Sequence, residues 1–138
     1  MKLRKIPFSI LLLIICLNFV SCDDSNPTTA LPPLTEENFD ITVNLADSGN
    51  LNANVMVRNH TQYNWEKTIV NLAIIEIESG HEYNRSLDLG EIEVDGSKRM
   101  LLISTQQVQG ELCYNYRLMV TPEGEDDQVS YEGGTCSN

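Results

Sequence analysis

Residues 39–58, FDITVNLADSGNLNANVMVR, decide the fold. Phe39, Ile41, Val43 and Leu45 alternate with Asp40, Thr42 and Asn44. Leu51, Ala53, Val55 and Val57 then alternate with Asn52, Asn54, Met56 and Arg58. A period of two puts every second side chain on one face, the pattern of a half-buried strand. Between the two runs, Ala46-Asp-Ser-Gly-Asn50 is turn-forming. The expected hairpin pairs Leu45 with Leu51, Val43 with Ala53 and Ile41 with Val55, all on one face.

The stretch 67–78, KTIVNLAIIEIE, is apolar with poor alternation. It reads as a central strand buried on both sides or bulged. A helix is the alternative, and the density of Ile and Val favours the strand. Leu87 to Val94 continues as short extended pieces, Asp95-Gly96 marks a turn, and Arg99 to Ser104 reads as another strand. Gly110 separates it from the last hairpin.

That hairpin can be registered from its residues. Leu112, Tyr114, Tyr116, Leu118 and Val120 share one face, and the turn over 122–127, PEGEDD, centres between Gly124 and Glu125. Folding there pairs Val120 with Val129 and Leu118 with Tyr131. On the other face Arg117 meets Glu132 and Cys113 meets Cys136. One register satisfies the apolar pairs, an ion pair and both cysteines. In an exported chain a disulfide between Cys113 and Cys136 is the natural reading, worth roughly 3 kcal/mol for a loop of this size. The rival reading, a metal-binding thiol pair, lacks partners at suitable spacing.

About seven strands in roughly 100 residues, nearly without helix, predict a single all-β antiparallel sandwich over 39–138. The strand rhythm, with Val55-Met-Val-Arg-Asn59 and then Leu87-Asp-Leu-Gly90 before Asp95-Gly96, resembles immunoglobulin-like and fibronectin-III-like adhesion domains of bacterial envelopes.

The N-terminus carries an address. Lys2, Arg4 and Lys5 precede an apolar stretch from Ile10 to Leu17, resuming at Phe19-Val20. A basic start, a short apolar core and a small residue before the cut make a secretory signal over 1–21. The core is shorter than the about 20 residues that a spanning helix needs. Phe19-Val20-Ser21-Cys22 resembles the lipobox of bacterial lipoproteins, with Phe19 where that family usually has Leu. The resemblance implies cleavage before Cys22 and acylation of its sulfur and amine. Each buried methylene adds about 0.8 kcal/mol, and stable anchoring needs more than one chain. Asp23-Asp24 resembles an inner-membrane retention signal of some lineages and a surface-export signal of others. The expected place is therefore the cell envelope, lipid-anchored, at the outer membrane or cell surface, with the inner membrane as the alternative. Residues 22–38, with prolines at 27, 32 and 33, read as the lipidated Cys followed by a flexible tether.

Losing Lys2, Arg4 and Lys5 with the signal takes the formal charge of −11 to −14. That argues against nucleic acid or anionic head groups as partners, since both need basic surfaces.

Few residues suggest chemistry. His60 and His81 sit in polar stretches without the orienting acid that a catalytic His requires, no glycine-rich phosphate loop occurs, and no enzyme activity or cofactor is expected. Glu123, Glu125, Asp126 and Asp127 share one turn and could offer oxygens to calcium, but they miss the D-x-[DN]-x-[DN]-G spacing and also read as a solvated tip. In His60-Thr-Gln-Tyr-Asn-Trp-Glu66, Tyr63 and Trp65 could stack on a sugar or anchor a protein, or pack into the edge of the core. The leading expectation is a membrane-tethered, non-enzymatic binding, adhesion or spacer domain whose partner is a protein or glycan of the envelope. The alternative is an envelope inhibitor or immunity-type protein that meets a basic partner.

Cys22→Ser is expected to leave an unprocessed precursor that takes up no fatty-acid probe. Equal labelling of variant and wild type would contradict the anchor.

Overall fold

In the computed structural model each alternating run is a strand. The structure describes residues 31–46 and 49–136. The signal peptide, Cys22 and the tether up to residue 30 lie outside the described residues. A 3-10 turn, Glu36–Asn38, leads into seven strands: β1 (Phe39–Leu45), β2 (Gly49–Asn59), β3 (Trp65–Glu76), β4 (Glu82–Asp88), β5 (Ser97–Val108), β6 (Leu112–Pro122) and β7 (Val129–Gly134). They form two antiparallel sheets, ordered β1-β2-β5 and β4-β3-β6-β7. This is the expected all-β sandwich. In a constant-type immunoglobulin domain the fourth strand joins the first sheet. Here β4 pairs with β3 instead, which leaves β5 at a sheet edge.

The core lies between the inward faces. Leu51, Ala53, Val55 and Val57 of β2 meet Val70, Leu72 and Ile74 of β3 and Leu118 and Val120 of β6, all essentially buried. The last hairpin has the register its residues predict. Val120 faces Val129, Leu118 faces Tyr131 and Arg117 faces Glu132, with the ion pair at 2.8 Å. Cys113 and Cys136 are joined by a disulfide, their Cα atoms 5.0 Å apart.

Other expectations need correction. Leu45 pairs with Ala53, Val43 with Val55 and Ile41 with Val57, two residues beyond the expected register. The connection is longer than a minimal turn: Ala46 N–H donates to the Asn52 carbonyl, and Gly49 takes a left-handed φ of 83°. A slip of two keeps the same side chains inward, so the face is unchanged. β3 is bulged between Trp65 and Lys67 and central, but it is buried on one face only; Asn71 on its other side is exposed. β4 ends at Asp88, after which Leu89 and Ile92 are buried and Ile92 bridges to Trp65. β5 runs well past the expected Arg99–Ser104 at both ends. The tether is shorter than expected, because Leu34 is only 5% exposed and belongs to the core.

The crossover from one sheet to the other, residues 60–64, is held by buried polar groups. Asn59, fully buried, donates from Nδ2 to the carbonyls of Tyr63 and Ile92. Its Oδ1 accepts from the Thr61 N–H and lies 2.7 Å from the Thr61 hydroxyl. That hydroxyl accepts in turn from Trp65 Nε1 at 3.2 Å. Trp65 is 0% exposed, which removes it as a stacking platform; Tyr63 is partly buried against the same core.

Two poles follow from the register. One gathers the 3-10 turn, the crossover, residues 89–96 and the β6–β7 turn. Asn64 ties the last three together by donating to Glu123, accepting from the Val94 N–H and accepting the Glu123 N–H at its carbonyl, and the His60 N–H donates to the Asn38 carbonyl of the 3-10 turn. The other pole gathers the β3–β4 and β5–β6 turns. There the Glu76 carboxylate accepts from Ser79, Tyr83 and the Gln109 N–H, and these bonds, Ser79's first, hold its pKa below the usual carboxylate range.

Trp65 emission is expected to be blue and shielded from iodide, and Trp65→Ala to cost about 3–5 kcal/mol in urea unfolding. Red, quenchable emission with an unchanged midpoint would contradict its burial.

Candidate functional site

The outward face of the four-stranded sheet is shaped by which residues meet across it. One cross-strand row runs Ser86, Asn71, Arg117, Glu132, and the next runs Asn84, Ala73, Asn115, Gly134. Rows on one face are separated by about 7 Å along the strands, and neighbours within a row by about 4.8 Å. The second row has almost no bulk at Ala73 and none at Gly134. The result is an open hollow of about 890 Å³, floored by small residues and rimmed by amides, hydroxyls, the guanidinium groups of Arg85 and Arg117 and one carboxylate. Cys136 closes one end, so the disulfide is part of the wall.

Two consecutive glycines serve opposite faces here. At Gly133 an added Cβ would lie 2.7 Å from the Tyr116 hydroxyl. At Gly134, with φ of 156°, it would run into the Tyr114 carbonyl oxygen and the Asn115 side chain. Any larger residue at 134 would push β7 off β6 and fill the hollow.

The residues singled out by the sequence do not converge on this face. His60 Nε2 lies 2.6 Å from Asp40 Oδ2 near one pole, and His81 lies against Tyr83 near the other, with ring centroids 4.6 Å apart and the planes tilted by 55°. Glu123, Glu125, Asp126 and Asp127 are exposed at the β6–β7 turn, and Glu123 is engaged by Asn64. Among the described residues no group of three or more His, Cys, Asp or Glu is placed to hold a metal ion. Tyr63 and Trp65 are taken up by the core. Of the residues singled out by the sequence, the Arg117–Glu132 pair and Cys136 border the hollow. Asn71, Asn84 and Asn115 were missed. The available signal was the polar parity of β3 and β6 once their pairing is known.

No family model and no curated protein matches the chain. Among solved structures, it is similar to the alkylpurine DNA glycosylase AlkC of Pseudomonas fluorescens bound to DNA containing an abasic site analog. The likeness has 13% identity and a TM-score of 0.35, over 69% of this chain and 30% of that one. The chain thus spans under a third of that protein's length. The expectation of a chain that is not an enzyme is corrected by this match with an enzyme, and the exclusion of enzyme activity is withdrawn. At that TM-score the likeness carries no argument for glycosylase activity or for DNA as a ligand.

Beneath the hollow, Tyr116 lies against Tyr131, whose hydroxyl hydrogen-bonds Glu36. Burial pushes the Tyr116 phenol up to about 12, with the charges of Tyr131, Tyr114 and Glu36 adding to it. A raised folded pKa means that folding favours the neutral phenol. Its contribution is complete below the unfolded value near pH 10 and is lost as pH rises through 12. Ultraviolet titration should find one tyrosinate forming near 12, and melting temperature should fall between pH 10 and 12. Tyr116→Phe is expected to make that fall shallower; an unaltered profile would contradict the assignment.

Proposed function

We propose that this chain is a ligand-binding domain of the bacterial envelope, anchored by lipid at Cys22, whose hollow takes a hydroxyl-rich ligand of the glycan class. The hollow itself carries the reading: hydrogen-bonding side chains from four strands converge around a floor of Ala73 and Gly134. Its volume is in the range of small-ligand sites. Amides and hydroxyls donate and accept at once, as sugar hydroxyls do, and so complement them without a net charge on the ligand. Arg117 is paired with Glu132 across the row, and Arg85 adds a second guanidinium at the rim, so the lining carries no excess of the acid that dominates the rest of the chain.

Position supports the same reading. Residues 31–38 enter at the pole of the crossover and the acidic β6–β7 turn. The row of Ala73 lies toward the opposite pole, near the end of β3 at Glu76. Within the domain, the hollow therefore lies toward the half opposite the entry of residues 31–38. The basic start, apolar core and Ser21-Cys22 support the anchor.

Glycan-array screening followed by calorimetry tests this. Asn84→Ala and Asn115→Ala are each expected to weaken binding about fivefold, from a hydrogen bond worth about 1 kcal/mol. Ala73→Gln, which fills the floor, is expected to abolish binding while leaving the fold intact. Glycan binding unaffected by Ala73→Gln, or no glycan bound at all, would overturn the proposal.

A further inference from the structure

The three-stranded sheet differs from the rest of the molecule in charge and in covering. Residues 97–110, which include all of β5, contain none of the chain's 20 acidic residues, and Lys98 and Arg99 lie among them. β5 is also an edge, paired on one side with β2 only among the described residues. On its outward face Leu101 is 58% exposed and Ile103 74%, the largest exposures among its big apolar side chains. Beside them Asn54 pairs with Leu101 and Asn52 with Ile103, and both amide oxygens are buried without a hydrogen-bond partner. A long edge with exposed apolar side chains is a template for pairing with another strand.

We propose that β5 pairs with the same strand of a second copy of this chain, antiparallel, about a two-fold axis at Leu102. Two copies of an acidic chain repel, and they meet most easily where both surfaces lack acids; β5 is the edge that satisfies this. The axis at Leu102 is chosen by the apolar residues. It sets Leu101 against the partner's Ile103, and Ile103 against the partner's Leu101, so four exposed apolar side chains cover one another. It sets Arg99 against the partner's Thr105, which keeps the cations of the two copies apart. An axis at Leu101 or Ile103 would instead leave one apolar residue of each copy opposite Arg99 or Thr105. Such a two-fold interface is self-complementary and closed, and it joins the two sheets into one of six strands. The ladder to β2 shifts beyond Ile103, which confines regular pairing to a short central stretch. The association is therefore modest in strength, and attachment of both copies to one membrane would favour it.

The test uses the full chain in excess mild detergent. With benzoylphenylalanine at position 101, illumination is expected to give a band of twice the protein's mass, with the crosslink near Ile103 of the other copy. The same probe at Thr42, on the outward face of β1, is expected to give none. In sedimentation velocity, Ile103→Lys should weaken self-association at least tenfold while the melting temperature stays that of wild type, because the side chain is exposed. A wild type that stays monomeric would overturn the proposal. So would a position-101 crosslink to a protein of another mass, a dimer band from position 42 as strong as from 101, or an Ile103→Lys variant that still dimerises.

Discussion

A wholly buried amide binds together whatever satisfies its hydrogen bonds, and Asn59 is where this sandwich uses that demand. Leaving a buried donor or acceptor unpaired costs about 1–3 kcal/mol, so the groups around Asn59 are fixed together or not at all. Its side chain joins the end of β2, the crossover at Thr61 and Tyr63, and the Ile92 carbonyl beyond β4. Trp65 is fastened to the same cluster through Thr61 and fills the space between the sheets. The first strand of the second sheet therefore starts at a defined height relative to the first sheet. The inward rows of β2 and β3 meet as a consequence, and the cross-strand rows on the outer face follow from the β3 register.

Local pairings were legible in the sequence, and non-local ones were not. The last hairpin could be registered because a short turn, an ion pair and two cysteines all demand one alignment of 112–122 on 129–134. The first hairpin came out two residues off, since nothing in Asn50 or Asn52 says how much chain the turn consumes; the inward face survived because parity is all that burial requires. His60 to Trp65 looked like a polar loop displaying aromatics. A polar residue that is buried because its partners are buried with it has no signature in composition. The hollow was illegible for a related reason: Ala73, Asn115 and Gly134 come from three strands, and β3 reaches β6 across about forty residues of intervening chain.

Charge and shape divide the molecule's surfaces. Carboxylates crowd the turns at the pole where the chain enters, around Asp95 and Asp127. The two outward sheet faces carry amides, small residues and the Arg117–Glu132 pair on one side, and amides, arginines, aliphatics and Asp40 on the other. Such a distribution keeps an acidic protein soluble without spreading like charge over the surfaces it presents. It also separates the two contacts proposed for it, one on each sheet, so that neither obstructs the other.

The entry of the chain at one pole, with the hollow toward the other, sets how the domain carries a mechanical load. Tension between residues 31–38 and a ligand at the site proposed near Ala73 would run along β1. It pulls β1 lengthwise against β2, so the paired positions from Phe39–Asn59 to Leu45–Ala53 share the force in shear and are not unzipped in turn. Leu34 and Phe39 must also leave the core before β1 can slide. At the other end of the chain the covalent link from Cys136 to β6 keeps β7 from peeling. Resistance to pulling depends on the unfolding rate and not on equilibrium stability, so a domain of ordinary stability with this layout can still serve as a durable fastener.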